Sequence, residues 1–377
     1  MDSAIQENMA GRKAGTGGAS GHLTIDLSAL ARNYERLAAE VAPARAAAVV
    51  KADAYGLGAD QITAKLYACG CRHFFVAQFV EALSLRPRLP ADATVLVLNG
   101  LQPGNEGACA REGIVPIINS LEQWQQWAQA ARARGRRLPA GLQFDTGMSR
   151  LGVPPEHRAA LAGLVEADRG IEVLFIMSHL ASADDTTSEQ NGDQLAEMNL
   201  VAAEFPALDV CFANSGGIFL DKAYHGVLAR PGIALYGGAP TTGMPNPVEP
   251  VVRLEVAVVQ TRTVPAGTRI GYSGTHATVG ETRLATIAAG YADGLPRSLS
   301  DRGAVYCDGI RLPIVGRVSM DSITIDVSAL PKGRLHLGSL VEVLGPHQTL
   351  EDLARDAGTI SYEILTGLGH RYERRYC

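Results

Sequence analysis

Short apolar runs alternate with stretches of helical period from residue 22 onward, and this alternation continues for about 220 residues. The predicted strands include 45–51, 94–98, 141–144, 171–177, 210–213 and 232–236, and the predicted helices include 61–68, 121–134 and 193–204. Such alternation is typical of βα units around a parallel sheet. The number of units predicts an α/β fold with a closed (β/α)8 barrel of the TIM type.

The pattern changes near Pro245. After a Pro-rich stretch, alternating apolar and polar residues are punctuated by Gly and Pro, in runs over 254–264, 283–288, 304–307, 323–327 and 340–344. This spacing favours a C-terminal, mostly antiparallel β domain. We therefore predict a disordered, Gly-rich N-terminal tail over 1–21, a barrel over 22–244 and a β domain over 245–377.

Composition narrows the classes of function. The 377 residues are 46% hydrophobic and 19% charged, as in ordinary globular proteins. A net charge of -5 without long basic runs argues against nucleic acid or membrane partners. The six cysteines have no CxxC or His/Cys metal spacing, so they predict reduced thiols and no metal site. Residues 1–21 lack the apolar core of a signal peptide, and no run is long enough to span a membrane. The expectation is a cytoplasmic protein that acts on a small molecule.

Lys51 ends the first apolar strand and precedes a turn that contains Gly56. A lysine at this point lies at the mouth of the barrel, where the catalytic groups of this fold collect. Burial lowers the pKa of an amine and suits it to Schiff-base chemistry. A solvated lysine just past a strand would give the same sequence pattern. Position alone therefore leaves both interpretations open, a catalytic lysine and a solvated one.

Glycine turns and polar residues follow other predicted strands. Gly232 and Ile233 offer backbone amides suited to a phosphate, and 214–217 forms a second such turn. Arg150 and His179 follow further strands. Each feature taken alone is more often structural, because glycine turns are common in barrels.

Nine segments, taken together and in order, resemble the alanine racemase family. They are VVKADAYG, DTGMSRLG, SHLA, ANSGG, RPGIALYG, GYSGTH, GYADG, GRVSMD and TISYEI. The similarity extends over both predicted domains, from residue 22 to 377. It implies an isomerase that uses pyridoxal 5'-phosphate to interconvert L-alanine and D-alanine.

The resemblance implies a set of residues around the cofactor. The family lysine that carries pyridoxal phosphate is matched by Lys51. The cofactor phosphate would be held by Tyr55, Ser215, Gly232, Ile233 and Tyr362, with Asn214 in the same turn as Ser215. Arg150 matches the residue that contacts the phenolic oxygen, and His179 matches a histidine packed against the pyridine ring.

Arg230 matches the arginine that faces the pyridine nitrogen in the family. An arginine stays protonated, so it donates a hydrogen bond but does not hand over a proton. The ring is then a weaker electron sink, and a short-lived carbanion favours quick return of a proton over transamination.

Inversion at Cα needs proton transfer on both of its faces. The resemblance implies that Lys51 serves one face and Tyr272 the other. A phenol ordinarily has a pKa of about 10, so cations such as Arg230 are needed to favour a phenolate. Without the motif, Tyr272 would be interpreted as a packed aromatic residue of the β domain.

The family also implies a homodimer with shared active sites, in which the tyrosine matched by Tyr272 comes from the partner subunit. The predicted substrate-binding residues are Arg150, Met320 and Asp321, and Met320 matches the residue whose backbone amide receives the substrate carboxylate. Tyr291 and Tyr362 match a pair that narrows the entrance and favours alanine over larger amino acids.

Gln143 departs from the family pattern. Many members have a carbamylated lysine here, which gives a negative partner to the arginine matched by Arg150. A neutral glutamine orients Arg150 only through hydrogen bonds. Either a bound anion such as chloride takes the place of the carbamate near Gln143 and Arg150, or Arg150 remains more positive.

Several alternatives stay open at this stage. A racemase of broad specificity, or one for serine or basic amino acids, would use the same scaffold. A decarboxylase is disfavoured because such enzymes place an acidic residue where Arg230 lies. A non-catalytic cofactor-binding protein would usually lack the β domain that carries Tyr272. Supply of D-alanine for peptidoglycan and breakdown of alanine are equally compatible with the sequence.

Overall fold

The computed structural model describes residues 18–19 and 21–377 and divides into two compact units. The barrel unit is Leu27–Glu249, and the C-terminal unit is Pro250–Cys377 together with the described residues up to Asp26. The predicted tail lies outside the described residues except at 18, 19 and 21, and Gly21 already opens strand β1 (Gly21–Ile25). In the described part of the chain, no helix has the length and apolar character needed to cross a membrane.

Parallel strands form the wall of the barrel unit. They are β2 (Arg45–Ala46), β3 (Ala48–Val49), β4 (His73–Val76), β5 (Thr94–Val97), β6 (Val115–Ile118), β7 (Leu138–Gln143), β8 (Ile171–Met177), β9 (Val210–Cys211) and β10 (Leu228–Ala229). Strands β3 to β9 form one seven-stranded sheet. β10 bridges its two edges, because the Val227 N–H donates to the Val210 carbonyl and the Ala47 N–H donates to the Ala229 carbonyl, each at 2.8 Å. β2 and β3 occupy one strand position, so the predicted eight-position barrel is confirmed.

Helices connect most of these strands. They are α1 (Leu27–Val41), α2 (Ala59–Ala68), α3 (Phe79–Leu85), α4 (Glu106–Glu112), α5 (Leu121–Arg134), α6 (Arg158–Ala167) and α7 (Glu189–Glu204). Helix α5 has the bounds predicted for it. Ser120 caps its first turn by accepting the Gln123 N–H at 3.3 Å, and Gly135 ends it in a left-handed conformation. Its face with Trp124 and Trp127 is buried.

The barrel interior is packed around Gly141. A Cβ added there would lie 2.6 Å from Ile117 Cδ1 and 2.9 Å from Phe175 Cε2, so only glycine leaves these side chains room. Side chains alternate along a strand, so Gln143 points to the same interior as Gly141. Gln143 is accordingly buried.

The strand predicted over 232–236 is wrong. The last barrel strand is β10, and Ile233–Tyr236 forms a short 3-10 helix between Gly232 and a left-handed Gly237. The reason is local hydrogen bonding. The Gly232 and Ala234 N–H groups donate to Ser215 Oγ rather than to a neighbouring strand.

The C-terminal unit is built around one long strand, β11 (Val252–Val264). The other strands are β12 (Arg269–Ile270), β13 (His276–Ala277), β14 (Thr282–Ile287), β15 (Ala304–Cys307), β16 (Ile310–Pro313), β17 (Ile323–Asp326), β18 (Leu340–Leu344) and β19 (Glu373–Tyr376), with helices α8 (Leu350–Ala357) and α9 (Ser361–Gly367). β11 pairs antiparallel with β1, β14 and β18. The five predicted strands correspond to β11, β14, β15, β17 and β18, so the mostly antiparallel domain is confirmed.

Residues 22–26 belong to the C-terminal unit, whereas the sequence analysis assigned them to the barrel. β1 lies between β11, where Gly21 pairs with Val256, and β19, where His22 pairs in parallel with Glu373. Both partners come much later in the chain. A local pattern identifies such a strand but not the sheet to which it belongs.

Candidate active site

Lys51 follows β3 and opens a helical turn, Lys51–Gly56, with an unusual backbone. Ala52, Asp53, Ala54 and Tyr55 all have φ between 52° and 58°. This left-handed conformation costs roughly 1–2 kcal/mol for each residue with a side chain. Other contacts must therefore stabilise the turn that carries Lys51.

Two carboxylates supply such contacts. Glu81, in the first turn of α3, accepts the Ala52 N–H through Oε1 and the N–H groups of Ala77 and Gln78 through Oε2, the last two at 2.8 Å. Asp53 Oδ1 accepts the Ala59 N–H at 2.7 Å. Glu81 was not among the residues predicted from the sequence. Its only trace in the sequence is an acidic residue in the first turn of the helix after a buried strand.

Lys51 lies at the barrel mouth with three other predicted residues, Arg150, His179 and Arg230. Burial lowers the pKa of Lys51, and the Arg150 charge lowers it further, while Glu81 opposes them. Burial also lowers the pKa of His179 to about 3, with added effects from Arg230, Arg150 and Lys51. The four side chains are thus within electrostatic range of one another. His179 is neutral at neutral pH, and a larger fraction of Lys51 is an unprotonated nucleophile than for an exposed lysine.

Arg230 is buried and held by neutral groups. Its Nη2 donates to the Ser178 carbonyl at 2.7 Å, and its Nη1 donates to the Cys211 carbonyl at 2.8 Å and to Cys211 Sγ at 3.1 Å. These acceptors orient the guanidinium without cancelling its charge. Cys211, which is fully buried, is a second neighbour that the sequence analysis missed.

A cradle for a phosphate forms where four predicted residues meet. A Cβ added at Gly232 would lie 2.3 Å from the Tyr55 hydroxyl, so only a bare backbone fits there. Ser215 Oγ accepts the Gly232 N–H at 2.8 Å, and Ile233 begins the next turn. Backbone N–H groups and hydroxyls are the donors that a phosphate requires. The residues therefore fit a cofactor that carries a phosphate.

Asn214 stabilises the turn next to this cradle through two hydrogen bonds. Its Nδ2 donates to the Leu180 carbonyl at 3.2 Å, and its Oδ1 accepts the Gly217 N–H at 2.9 Å. The side chain thereby fixes the turn that presents Ser215.

The loop that carries Arg150 is tied to the His179 segment. Asp145 Oδ1 accepts three successive N–H groups, from Gly147 to Ser149, at 2.9 to 3.0 Å. Gln194, which is fully buried, donates to Thr146 Oγ1 at 3.3 Å and to the His179 carbonyl at 2.9 Å. Arg150 and His179 are thus positioned by one hydrogen-bond network.

Gln143 has a polar neighbour inside the barrel. Ile118 pairs with Leu142 across β6 and β7, so the next residues along, Asn119 and Gln143, lie side by side. Asn119 is buried, and its Oδ1 has no hydrogen-bond partner among the residues that the structure describes. Two neutral carboxamides therefore lie side by side at the ends of β6 and β7.

The remaining predicted residues lie in the C-terminal unit. Tyr272 is 70% exposed on a turn that needs positive φ at Gly271 and Ser273, and Arg317 Nη1 donates to Ser273 Oγ at 3.0 Å. Tyr362 lies on α9 and is partly exposed.

Tyr291 and Met320 are brought together within this unit. The Tyr291 N–H donates to the Ser319 carbonyl at 3.1 Å, and both Tyr291 and Met320 keep exposed side chains. Asp321 accepts a hydrogen bond from Arg371 Nη1 at 2.7 Å. Its carboxylate is thus part of an ion pair next to the Met320 peptide.

A (β/α)8 barrel with a desolvated lysine at the strand ends, a phosphate cradle and a buried arginine defines a class of protein. It is that of barrel enzymes that hold a phosphate-bearing cofactor on a lysine.

Comparison with known proteins gives the family. The model of the alanine racemase N-terminal domain matches residues 25–240, and that of the C-terminal domain matches residues 251–376. The catabolic alanine racemase of Rhizobium johnstonii is 70% identical, and the alignment covers 95% of each chain. That of Agrobacterium fabrum is 61% identical, over 97% of this chain and 94% of the relative.

A solved structure agrees. Alanine racemase from Bartonella henselae, described with covalently bound pyridoxal phosphate, is 44% identical, with a TM-score of 0.92 over 95% of this chain and all of that one. The chain belongs to the alanine racemase family, whose enzymes depend on pyridoxal phosphate. The predicted family, fold, class of enzyme and cofactor are confirmed.

Proposed function

We propose that this protein interconverts L-alanine and D-alanine, with pyridoxal phosphate attached at Lys51. The observation that carries the proposal is the convergence of Lys51, His179, Arg150 and Arg230 beside a phosphate cradle in one barrel. The relatives named alanine racemase support the substrate, and the Bartonella structure supports the cofactor.

Pyridoxal phosphate, when bound, withdraws electrons from the Cα of an amino acid and makes its proton acidic. Tyr55, Ser215, Gly232 and Ile233, with Tyr362, would hold the phosphate, while Asn214 fixes their turn. Arg150 would donate to the phenolic oxygen, and neutral His179 would pack against the ring without adding a charge. Arg230 would donate a hydrogen bond to the ring nitrogen and limit the electron withdrawal, which favours racemisation over side reactions.

Lys51 and Tyr272 would move the protons. Lys51 lies at the mouth of the barrel, and its lowered pKa suits it to accept a proton at one face of Cα. Tyr272 of the partner subunit would serve the other face. Its strong exposure on a turn is what a residue that reaches out of its own unit requires. Met320 of the partner subunit would receive the substrate carboxylate on its backbone amide.

A complementation experiment tests the shared site. Lys51→Ala and Tyr272→Phe variants are each expected to be nearly inactive. In a heterodimer of the two, one site combines two defects and the other is intact, so an equal mixture should recover about a quarter of wild-type activity. An inactive mixture in which heterodimers have been detected would contradict the shared site.

Substrate breadth depends on the entrance. Tyr291 and Tyr362 would narrow it and exclude side chains larger than a methyl group. Racemisation rates for alanine, serine, lysine and arginine test this. Fast turnover of alanine alone supports a narrow gate, whereas comparable rates for serine or arginine support the broad-specificity alternative.

The pair of Gln143 and Asn119 bears on the missing carbamate. Neither carboxamide carries a charge, so we propose that chloride compensates Arg150 near Gln143. Activity should rise when chloride is restored to dialysed enzyme. A Gln143→Glu variant supplies the negative charge itself and should be insensitive to chloride. Wild-type activity indifferent to chloride would contradict the bound anion.

Breakdown of alanine is the favoured physiological role, because both the Rhizobium and Agrobacterium relatives are named catabolic. Deletion of the gene should slow growth on alanine as carbon source without creating a need for D-alanine. A strict D-alanine requirement would favour peptidoglycan supply instead.

A further inference from the structure

Asp293 is the most deeply buried carboxylate of the C-terminal unit, with 0% of its surface exposed. A buried carboxylate is stable only with partners that replace its water. Arg371 provides them in a bidentate pair, because its Nε donates to Oδ1 at 2.7 Å and its Nη2 donates to Oδ2 at 2.8 Å. The Gly290 N–H also donates to Oδ2, at 2.9 Å.

Arg371 makes a third bond in another direction. Its Nη1 donates to Asp321 Oδ1 at 2.7 Å. Asp293 lies two residues after Tyr291, and Asp321 directly follows Met320. One guanidinium therefore joins the loop of Tyr291 to the loop of Met320.

The two loops also touch through their backbones. The Tyr291 N–H donates to the Ser319 carbonyl at 3.1 Å, and the Ala292 N–H donates to the Met320 carbonyl at 3.0 Å. A Cβ added at Gly290 would lie 2.2 Å from the Ser319 oxygen and 2.4 Å from the Met320 oxygen. These contacts restrict the rotation of the peptide between Ser319 and Met320.

We propose that Arg371 is a positioning residue for the substrate carboxylate, because it locks the Met320 peptide against the Tyr291 loop. The proposal rests on the proposed function, in which Met320 receives that carboxylate. Only the fixed fork of an arginine can satisfy both carboxylates at once, since a lysine presents a single ammonium centre.

The bonds of Arg371 to Asp293 and Asp321 are called the clamp below. Weakening the clamp should affect substrate binding more than the rate of the chemical step. The substrate carboxylate keeps its charge in the ground state and in the transition state, so its contacts contribute to both. In Arg371→Lys, the KM for alanine and the inhibition constant of propionate, a carboxylate without an amino group, should both rise about tenfold while kcat changes by less than about threefold. The visible absorbance of the bound cofactor should not change, because Arg371 donates to Asp293 and Asp321 and not to Lys51 or the cradle.

Three further variants separate the clamp from general folding. Arg371→Met alone would leave the Asp293 carboxylate buried without its cation. The double variant, Arg371→Met with Asp293→Asn, removes both charges and therefore leaves no unpaired buried carboxylate. Asp321→Asn weakens only the bond to the Met320 loop and should give a smaller rise in KM. Arg375→Met is the matched control, because Arg375 lies four residues after Arg371, in β19, and pairs with exposed Glu373; it should leave KM unchanged.

The outcomes are distinct. A rise in KM and in the propionate constant at constant kcat and absorbance supports the clamp. Unchanged constants in Arg371→Lys and Asp321→Asn, in an enzyme that racemises alanine, overturn the clamp and leave the function intact. Equal losses of kcat and cofactor absorbance overturn positioning in favour of a general structural role. A wild-type protein that neither racemises alanine nor binds propionate overturns both proposals.

Discussion

The carboxylate of Glu81 accepts the backbone N–H of Ala52, the residue that follows Lys51. The same carboxylate accepts the N–H groups of Ala77 and Gln78 after β4. One side chain therefore connects the strained Lys51 turn to the neighbouring strand of the barrel. The position of the Lys51 amine depends on a residue that does not itself need to touch the substrate.

Removal of Glu81 should release the Lys51 turn. Glu81→Ala is expected to lower racemisation about 100-fold, because small displacements of a catalytic group have effects of this size. Glu81→Gln keeps one acceptor oxygen and should lose less. Visible absorbance per mole of protein and initial rates measure the effect. Glu122→Ala, which removes another first-turn acid at the start of α5, should have no effect. Full activity of Glu81→Ala would refute the role.

Gly232 should tolerate no side chain. In Gly232→Ala, the new Cβ would lie 2.3 Å from the Tyr55 hydroxyl, so the cradle must open. Overpacking costs about 1–3 kcal/mol, which corresponds to a roughly fivefold to 150-fold weaker cofactor affinity. Equilibrium titration of apoprotein with pyridoxal phosphate measures it.

Gly163 gives the matched control. It lies in α6 with open space where a Cβ would be added. Gly163→Ala should leave cofactor affinity unchanged and stabilise the protein by up to about 1 kcal/mol through helix propensity. Equal cofactor affinity in the two variants would contradict the cradle.

Arg230 and Cys211 should differ in importance although they are in contact. Arg230→Ala removes one of the two arginine cations near Lys51 and His179 and should lower the racemisation rate at least about 100-fold. Cys211→Ala should cost less than about threefold, because the Cys211 carbonyl still accepts from Nη1. Rates in both directions measure this. A Cys211→Ala variant as impaired as Arg230→Ala would mean that the thiol itself orients the guanidinium.

His179 should make the fold sensitive to acid. The pKa of this imidazole is lowered to about 3 in the folded protein by burial and nearby cations, against about 6.5 for an ordinary histidine. Below pH 6.5 the unfolded chain binds a proton that the folded barrel excludes, so stability is lost as the pH falls towards 3. Between pH 7.5 and 4.5, His179→Gln should lose about 2 kcal/mol less unfolding free energy than wild type.

Chemical denaturation at the two pH values measures this difference. The exposed His336 is the control, and His336→Gln should follow the wild-type curve. Equal losses of unfolding free energy between pH 7.5 and 4.5 in wild type and His179→Gln would show that other titratable groups cause the acid sensitivity.

The sequence predicts local features well and remote pairings poorly. Helix α5 was correctly delimited because Ser120 and Gly135 mark its ends, and Lys51 was found because it follows a buried strand. The order of nine short motifs then supplied the roles that single residues could not. The 232–236 stretch was misassigned, because apolar residues in a short buried turn have the composition of a strand. Ser215 decides between the two, and it lies 17 residues away in the chain.

Glu81, Cys211 and Arg371 were missed for a related reason. Each acts through a residue brought close by the fold, and none has a neighbour in sequence that reveals the contact. Arg371 lies 78 residues after Asp293. Residues 22–26 were assigned to the barrel on the same grounds, since β11 and β19, the sheet partners of β1, come much later in the chain.

The central claim is best tested by following L-alanine and D-alanine separately to equilibrium with the purified, cofactor-loaded protein. Enantiomers have equal free energies in water, so a racemase must bring both reactions to the same equal mixture with no loss of total alanine. We predict this result, and its absence in Lys51→Ala. Consumption of one enantiomer without formation of the other, or equal rates in Lys51→Ala, would contradict the account.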